Sequence, residues 1–182
     1  MSIASQPKVY SLDDVAVAKM TDPSATPETY DSWVDVPGIQ KLTLRLNVTS
    51  LKELRGDNQV LCHGGGKPST VEVSADNAVI SIDAMEAIMP GTASEGGATP
   101  NETVQFIIDN TTSPHWFKLA GVAGEVDGGS VMVVTYKLRL DSFDFELSDE
   151  NFVIPKFSAK GVANAAGTLL LVQVFETYTE IS

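Results

Sequence analysis

The chain has 182 residues, which suits a single domain over 1–182 and is long for two. Its 24 acidic and 12 basic residues leave a net charge of −12, which excludes a protein built to grip a phosphate backbone with clustered Lys and Arg. Hydrophobic residues make up 43%, enough for a sizeable core without metals, and the single Cys62 excludes an internal disulfide framework and suggests a reducing compartment. No apolar run approaches the ~20 residues of a membrane span. Met1 to Lys8 lacks a basic segment followed by an apolar core, so no secretory signal is expected. No repeat of solenoid period is present.

In chain order, the first distinctive segment is Thr21 to Gly38. It carries Pro23, Pro27 and Pro37, acidic residues, and the aromatics Tyr30 and Trp33, with no clean period. It reads as a long ordered loop or projecting arm, and its aromatics suggest docking. Leu42, Leu44, Leu46 and Val48 then alternate with Lys41, Thr43, Arg45, Asn47 and Thr49, the pattern of a half-buried strand. Gly64-Gly65-Gly66 reads as a hairpin turn before a strand with Val71 and Val73 on one face, Thr70 and Glu72 on the other. A helix is predicted from Ser81 to about Met89, with Ser81 as N-cap, Asp83 in the first turn and a stripe of Ile82, Met85 and Met89. Pro90-Gly91 stops it, and the methionines read as core packing.

Gly91 to Pro100 reads as an exposed loop. Val104, Phe106 and Ile108 alternate with Thr103, Gln105 and Asp109, and Asp127-Gly128-Gly129 reads as a turn. From Val131 to Leu147 the apolar set is even at first (Met132, Val134, Tyr136, Leu138, Leu140) and then odd (Phe143, Phe145, Leu147). Such a slip turns the apolar set to the other face, so a bulge or corner is predicted near Asp141-Ser142, where the strand crosses between two sheets. Phe152 to Val162 and Thr168 to Glu180 read as two further strands joined at Asn164 to Gly167. Pro155 puts the first at an edge or a bulge.

Candidate chemistry is weak. His63-Gly64-Gly65-Gly66 matches an esterase oxyanion motif, but no G-x-S-x-G elbow follows. Gly66-Lys67 is followed by Pro68, which rejects a phosphate loop. Cys62 and His63 are adjacent on a strand and point to opposite faces, against a nucleophile–base pair. Two histidines and one cysteine make a zinc site improbable. Arg55-Gly56-Asp57 reads as chance or a structural turn, and the N-x-T triplets at Asn47, Asn101 and Asn110 matter only in a secreted eukaryotic protein. The acidic group Asp141, Asp144, Glu146, Asp149 and Glu150 leaves three readings open: a solvated strand face, an acidic surface facing a polyanion, or a calcium site.

The order of these pieces resembles the major tail tube proteins of long-tailed, non-contractile bacteriophages. The pieces are an early strand at Val15 to Met20, the segment Asp31 to Val36, Gly38-Ile39-Gln40-Lys41-Leu42, the turn Leu54-Arg55-Gly56-Asp57, one helix at Ile82 to Met89, and closing strands from Val131 to Tyr178. The resemblance covers nearly the whole chain. It implies a mainly β fold, two antiparallel sheets packed as a sandwich or barrel with one short flanking helix. It also implies a structural virion protein without catalysis or cofactor, forming homohexameric rings stacked into a tube through which genome DNA leaves. The implied partners are copies of itself, other tail proteins at the tube ends, and DNA that passes without specific binding. No membrane is among them. The implied location is the virion tail, with assembly in the host cytoplasm. The same fold serves tail terminators and the inner tubes of contractile tails.

Tyr30, Trp33 and Val34 are expected at a subunit interface, because interface energy concentrates in aromatics; the alternative is that Trp33 caps its own core. Asp141, Asp144 and Glu146 are expected to face the bore, where acidity would keep DNA from adhering. A monomeric β-sandwich binding module and an enzyme are the competing readings. The first is disfavoured by the lack of an aromatic platform, the second by the failed motifs.

Overall fold

The computed structural model describes residues 9–49, 52–56, 59–64, 66–77, 81–125, 128–145 and 155–181. Among these, the strands of the first half are β1 (Val9–Asp22), β2 (Thr29–Tyr30), β3 (Val34–Asp35), β4 (Ile39–Val48), β5 (Lys52–Gly56), β6 (Gln59–Gly64) and β7 (Pro68–Asn77). The helix α1 (Ile82–Ile88) follows, then β8 (Gly91–Gly96), β9 (Thr103–Ile108), β10 (Trp116–Glu125), β11 (Ser130–Asp144), β12 (Lys156–Val162) and β13 (Leu170–Phe175). The fold is mainly β, with antiparallel pairing and, among the described residues, one short helix, as expected.

One hydrogen-bonded path runs β2-β1-β10-β11-β12-β7-β4, with β13 attached to β11 and β3 to β1. The path becomes two packed sheets at β11. The first part of β11 pairs β13 from Ser130 to Thr135, and the second part pairs β12 from Lys137 to Asp144. The register slips between Leu140 and Ser142, so Asp141 is the bulged residue that the change of apolar parity predicts, but the crossing expected there lies earlier, where the partner of β11 changes from β13 to β12 between Thr135 and Lys137. A second slip went unread. Tyr136 and Lys137 together oppose Lys118, between the pairs Leu119–Thr135 and Phe117–Leu138. Thr135 and Leu138 thereby both turn inward, and both are fully buried.

The core lies between the sheets. Val15 and Val17 of β1 and Phe117 and Leu119 of β10 face Val71 and Val73 of β7 and Phe157 and Ala159 of β12. Phe117, Leu119 and Leu138 are wholly excluded from solvent, and each such side chain contributes about 1.5–3 kcal/mol of transfer free energy. Thr135 is equally buried, and its hydroxyl donates to the Leu119 carbonyl at 3.2 Å. In β4, Leu42 and Leu44 pack on this core while Lys41, Thr43 and Arg45 face solvent. Leu46 and Val48 share the inner face but run past the core, and are 44% and 56% exposed.

The Ser81 hydroxyl caps α1 by accepting the Ala84 N–H at 3.3 Å, and Asp83 occupies the first turn. The expected stripe is partly corrected. Met89, at the C-cap, is buried deepest and Met85 packs on the core, as expected, but Ile82 is only half-buried, and Ala84, Ala87 and Ile88 form the rest of the buried face. Small alanines let the helix lie close against the end of the sandwich, where it meets β1, β3 and β10.

Other expectations change. Residues 21–38 do not project. β2 and β3 pair with β1, the Val36 N–H donates to the Val15 carbonyl at 2.8 Å, and Val36 is buried in the core. The unpaired edge of β1 captures this segment because it offers backbone partners the segment otherwise lacks. Residues 91–100 are largely strand: β8 pairs β9 through Gly91–Ile108 to Gly96–Thr103 as a separate hairpin. The triglycine is not a hairpin turn, since β6 pairs β5 whereas β7 pairs β4 and β12; Gly65 lies outside the described residues. The turn before β11 is as predicted, with Gly128 at φ 91°, although Asp127 lies outside the described residues. Pro155 stands just before β12, an interior strand between β11 and β7, so its missing N–H does not mark an edge.

Candidate functional site

The outer face of β1, β10 and β11 is lined by small residues, Ala16, Ala18 and Ala120, all buried. They are covered by the same chain. The Trp33 ring lies 4.0 Å below the Lys118 ammonium, and the Tyr30 ring 4.8 Å from it. The Tyr30 hydroxyl donates to the Tyr136 carbonyl at 2.9 Å. Burial, then the nearby Glu28 carboxylate and Tyr136, push the Tyr30 hydroxyl up to about 12, and burial lowers Lys118. Val34 pairs with Val17 and packs at the core margin. The three residues expected at an interface are therefore half-buried against their own protomer, with Trp33 capping its own sheet.

Glu28 anchors this cover. It is 8% exposed, accepts the Ala165 N–H at 2.7 Å and lies 3.7 Å from the Lys137 ammonium. Nearby, Asp35 is pushed above the usual carboxylate range by burial and by the adjacent Asp14 carboxylate. Asp13, Asp14, Asp35 and Glu180 line a shallow depression with Trp33 and Tyr178. Among the described residues, no group of three or more His, Cys, Asp or Glu side chains is placed to hold a metal ion. Cys62 and His63 both lie on β6, where register sets them opposite Leu54 and Glu53.

The opposite sheet, β4-β7-β12 with the second half of β11, has a polar outer face ordered in rows by its register. Arg45, Glu72 and Lys160 stand in line across β4, β7 and β12, and Asp141 completes the row through a 2.9 Å ion pair with Lys160. The next row is all hydroxyl: Thr43, Ser74, Ser158 and Ser142, the last two joined at 2.8 Å. A third row sets Lys41, Asp76, Lys156 and Asp144 side by side. In the first row Arg139 of β11 is the register partner of Lys160, so two cations stand side by side there and Asp141 reaches Lys160 from the bulge. Cations and acids alternate along the third row. The bulge at Asp141 allows this, because it returns Asp144 to the polar face while Phe143 pairs with the buried Phe157. Asp141 and Asp144 thus share one exposed face; Glu146 lies outside the described residues. The rows set Lys41, Arg45, Arg139, Lys156 and Lys160 beside Glu72, Asp76, Asp141 and Asp144, so Asp141 and Asp144 stand among cations.

Sequence reasoning missed the exposed apolar surfaces. On β9, Val104, Ile107 and Ile108 are 55%, 62% and 52% exposed, and only Phe106 is anchored on the core. The consecutive pair Ile107-Ile108 was the available signal, since it puts apolar groups on both faces of one strand. β13 reads Leu-Leu-Val-Gln-Val-Phe, with Val172 and Val174 exposed and no charge or proline to guard its second edge, which has no partner among the described residues.

No protein-family model matches the chain, and no curated protein is similar to it.

Proposed function

We propose that this chain is a structural virion protein whose copies form hexameric rings that stack into the tail tube of a long-tailed, non-contractile bacteriophage, the conduit for its DNA. The observation that carries this reading is the polar face of β4, β7, β12 and β11, with its ionic and hydroxyl rows. A wall for passing DNA must offer water-like hydrogen bonding without unpaired cations, because a free Lys or Arg binds phosphate by releasing counterions. Here Lys160 is held by Asp141, and Lys156 stands between Asp76 and Asp144. Asp141 and Asp144 act by neutralising the cations beside them.

Self-association is favoured by the uncharged second edge of β13, which has no partner among the described residues, and by the exposed aliphatic groups of β9. The two-sheet fold with one flanking helix is also the architecture that the resemblance implies. Electron microscopy of the purified full chain at high concentration tests the reading. Rings or hollow tubes support it. A concentration-independent monomer, unchanged by added tail components, overturns it.

A further inference from the structure

The ionic row that begins at Arg45 does not end at Lys160. Arg139 of β11 is the register partner of Lys160, and Trp116 of β10 is the register partner of Arg139. The row therefore reads Arg45, Glu72, Lys160, Arg139, Trp116 across β4, β7, β12, β11 and β10. Cross-strand partners share a face, so Lys160 and Arg139 set like charges side by side, which costs stability unless each is drawn elsewhere. Lys160 is drawn to Asp141, at 2.9 Å. Among the described residues, no carboxylate lies within ion-pair distance of Arg139.

Arg139 is drawn the other way. Its Nε–H donates to the Pro114 carbonyl at 3.2 Å, and its guanidinium carbon lies 5.5 Å from the centre of the Trp116 ring. Trp116 opens β10 and Pro114 lies just before it, and β10 and β12 flank β11 on opposite sides. The same ring lies 5.7 Å from the Lys137 ammonium, which also meets Glu28 at 3.7 Å. Lys137 and Arg139 are half-buried, whereas Lys156 and Lys160 of β12 are exposed. An indole attracts a cation through its ring electrons. It holds a guanidinium without adding a charge to the surface.

We propose, resting on the reading of this face as the wall of the DNA conduit, that Trp116 is a positioning residue that keeps Arg139 from the phosphates of passing DNA. With the ring in place, one guanidinium N–H is committed to Pro114 and the group stays on the β10 side of its row. Without it, Arg139 becomes a freely moving cation beside Lys160. Its forked donors suit a bidentate contact with phosphate.

Full-length wild type, Trp116→Leu and the double variant Trp116→Leu/Arg139→Gln test this. Each is titrated at low salt with a short DNA duplex and followed by NMR, which reads weak binding residue by residue. In wild type, the ring current of Trp116 should displace the Arg139 Nε–Hε signal, and DNA should move that signal little. In Trp116→Leu the displacement should vanish, and the signals of Arg139 and Lys160 should move with DNA. The affinity should be about two- to fivefold tighter than that of wild type, the factor that an exposed cation–π contact is worth. The slope of log affinity against log salt should steepen by about 0.9, for one added phosphate contact. Adding Arg139→Gln should remove both gains, which the mere loss of a structural indole would not do. An unchanged affinity and salt slope in Trp116→Leu, or a gain that survives Arg139→Gln, overturns the role of Trp116 and leaves the conduit reading standing. Micromolar binding of the duplex by wild type through Arg139 overturns both. If far-UV circular dichroism shows that Trp116→Leu misfolds, Trp116→Phe decides. Its ring attracts cations less strongly, so it should give a smaller gain of the same sign, and no gain counts against the proposal.

Discussion

Glu28 and Lys137, distant in sequence, bring carboxylate and ammonium to 3.7 Å, with the Glu28 side chain 3% exposed and that of Lys137 20%. The same carboxylate accepts the Ala165 N–H, so one buried group ties together the segment before β2, the strand β11 and the loop after β12. This relationship explains why an acidic, proline-bearing segment lies down on the sheet.

Replacing Glu28 by Ala would leave the Ala165 N–H and a largely buried ammonium without their partner. The expected cost is about 1–3 kcal/mol, between the loss of one buried hydrogen bond and the breaking of a fully buried ion pair. Urea unfolding measures it. A loss below about 0.5 kcal/mol, the scale of a surface pair, would show that the contact does not hold the segment.

Asp35 stands against Asp14, and its raised pKa means that the folded chain holds this proton more tightly than the unfolded chain does. For such a group the stabilising contribution is present below the unfolded value of 3.8 and is lost as pH rises through the folded one. Burial first, and then the Asp14 carboxylate beside it, make the charged form of Asp35 unfavourable in the folded chain. Asp35→Asn should therefore raise Tm at pH 7 by about 1–2 °C, kept small by solvent screening, and the gain should vanish towards pH 3. Thermal melts across that range decide it; a variant less stable than wild type at pH 7 would contradict the account.

Much of the sandwich was legible because local patterns coincide with burial. Leu42 and Leu44 alternate with Lys41, Thr43 and Arg45, and the parity change in β11 marks the bulge at Asp141. Ser81 and Asp83 fix the start of α1. The second bulge of β11 was not legible, because Tyr136 and Lys137 continue the even apolar parity while the strand turns beneath them. The seating of residues 21–38 depends on Glu28 meeting Lys137 and Ala165, partners that no local pattern reveals. Of the candidate surface, the acidity of Asp141 and Asp144 was readable. Its neutralisation by Lys160 and Lys156 was not, since that depends on cross-strand register.

Tyr30 gives the fold an alkaline limit. Its hydroxyl titrates near 12 in the folded chain against 10.0 as the ordinary value, so the folded state keeps the proton longer. Its contribution is whole below pH 10 and disappears as pH rises towards 12. Tyr30→Phe should cost about 0.5–1.5 kcal/mol at pH 7, through the lost bond to the Tyr136 carbonyl, and should flatten the stability loss between pH 10 and 12. Unfolding at a series of alkaline pH values reads both effects. An unchanged alkaline slope would assign that loss to other groups.

Two interior glycines separate backbone-bound crowding from crowding that a side chain can relieve. At Gly161 on β12, a Cβ would lie 2.6 Å from Val71 Cγ1, 2.7 Å from Leu138 Cδ2 and 3.1 Å from the Lys137 carbonyl oxygen. Two of these neighbours are buried side chains with no room to turn, and the third is backbone, so Gly161→Ala should cost about 2–3 kcal/mol. At Gly121 on β10, the one close neighbour is Leu42 Cδ2 at 2.7 Å, the tip of a half-buried side chain, and the next atom is 3.8 Å away. Leu42 can rotate away, and alanine removes some freedom from the unfolded chain, so Gly121→Ala should change stability by less than about 1 kcal/mol. Leu42 reaches Gly121 only because β4 is folded over β10, although several strands separate them along the path. A large loss at Gly121 with none at Gly161 would mean that the sheets are packed in a different register.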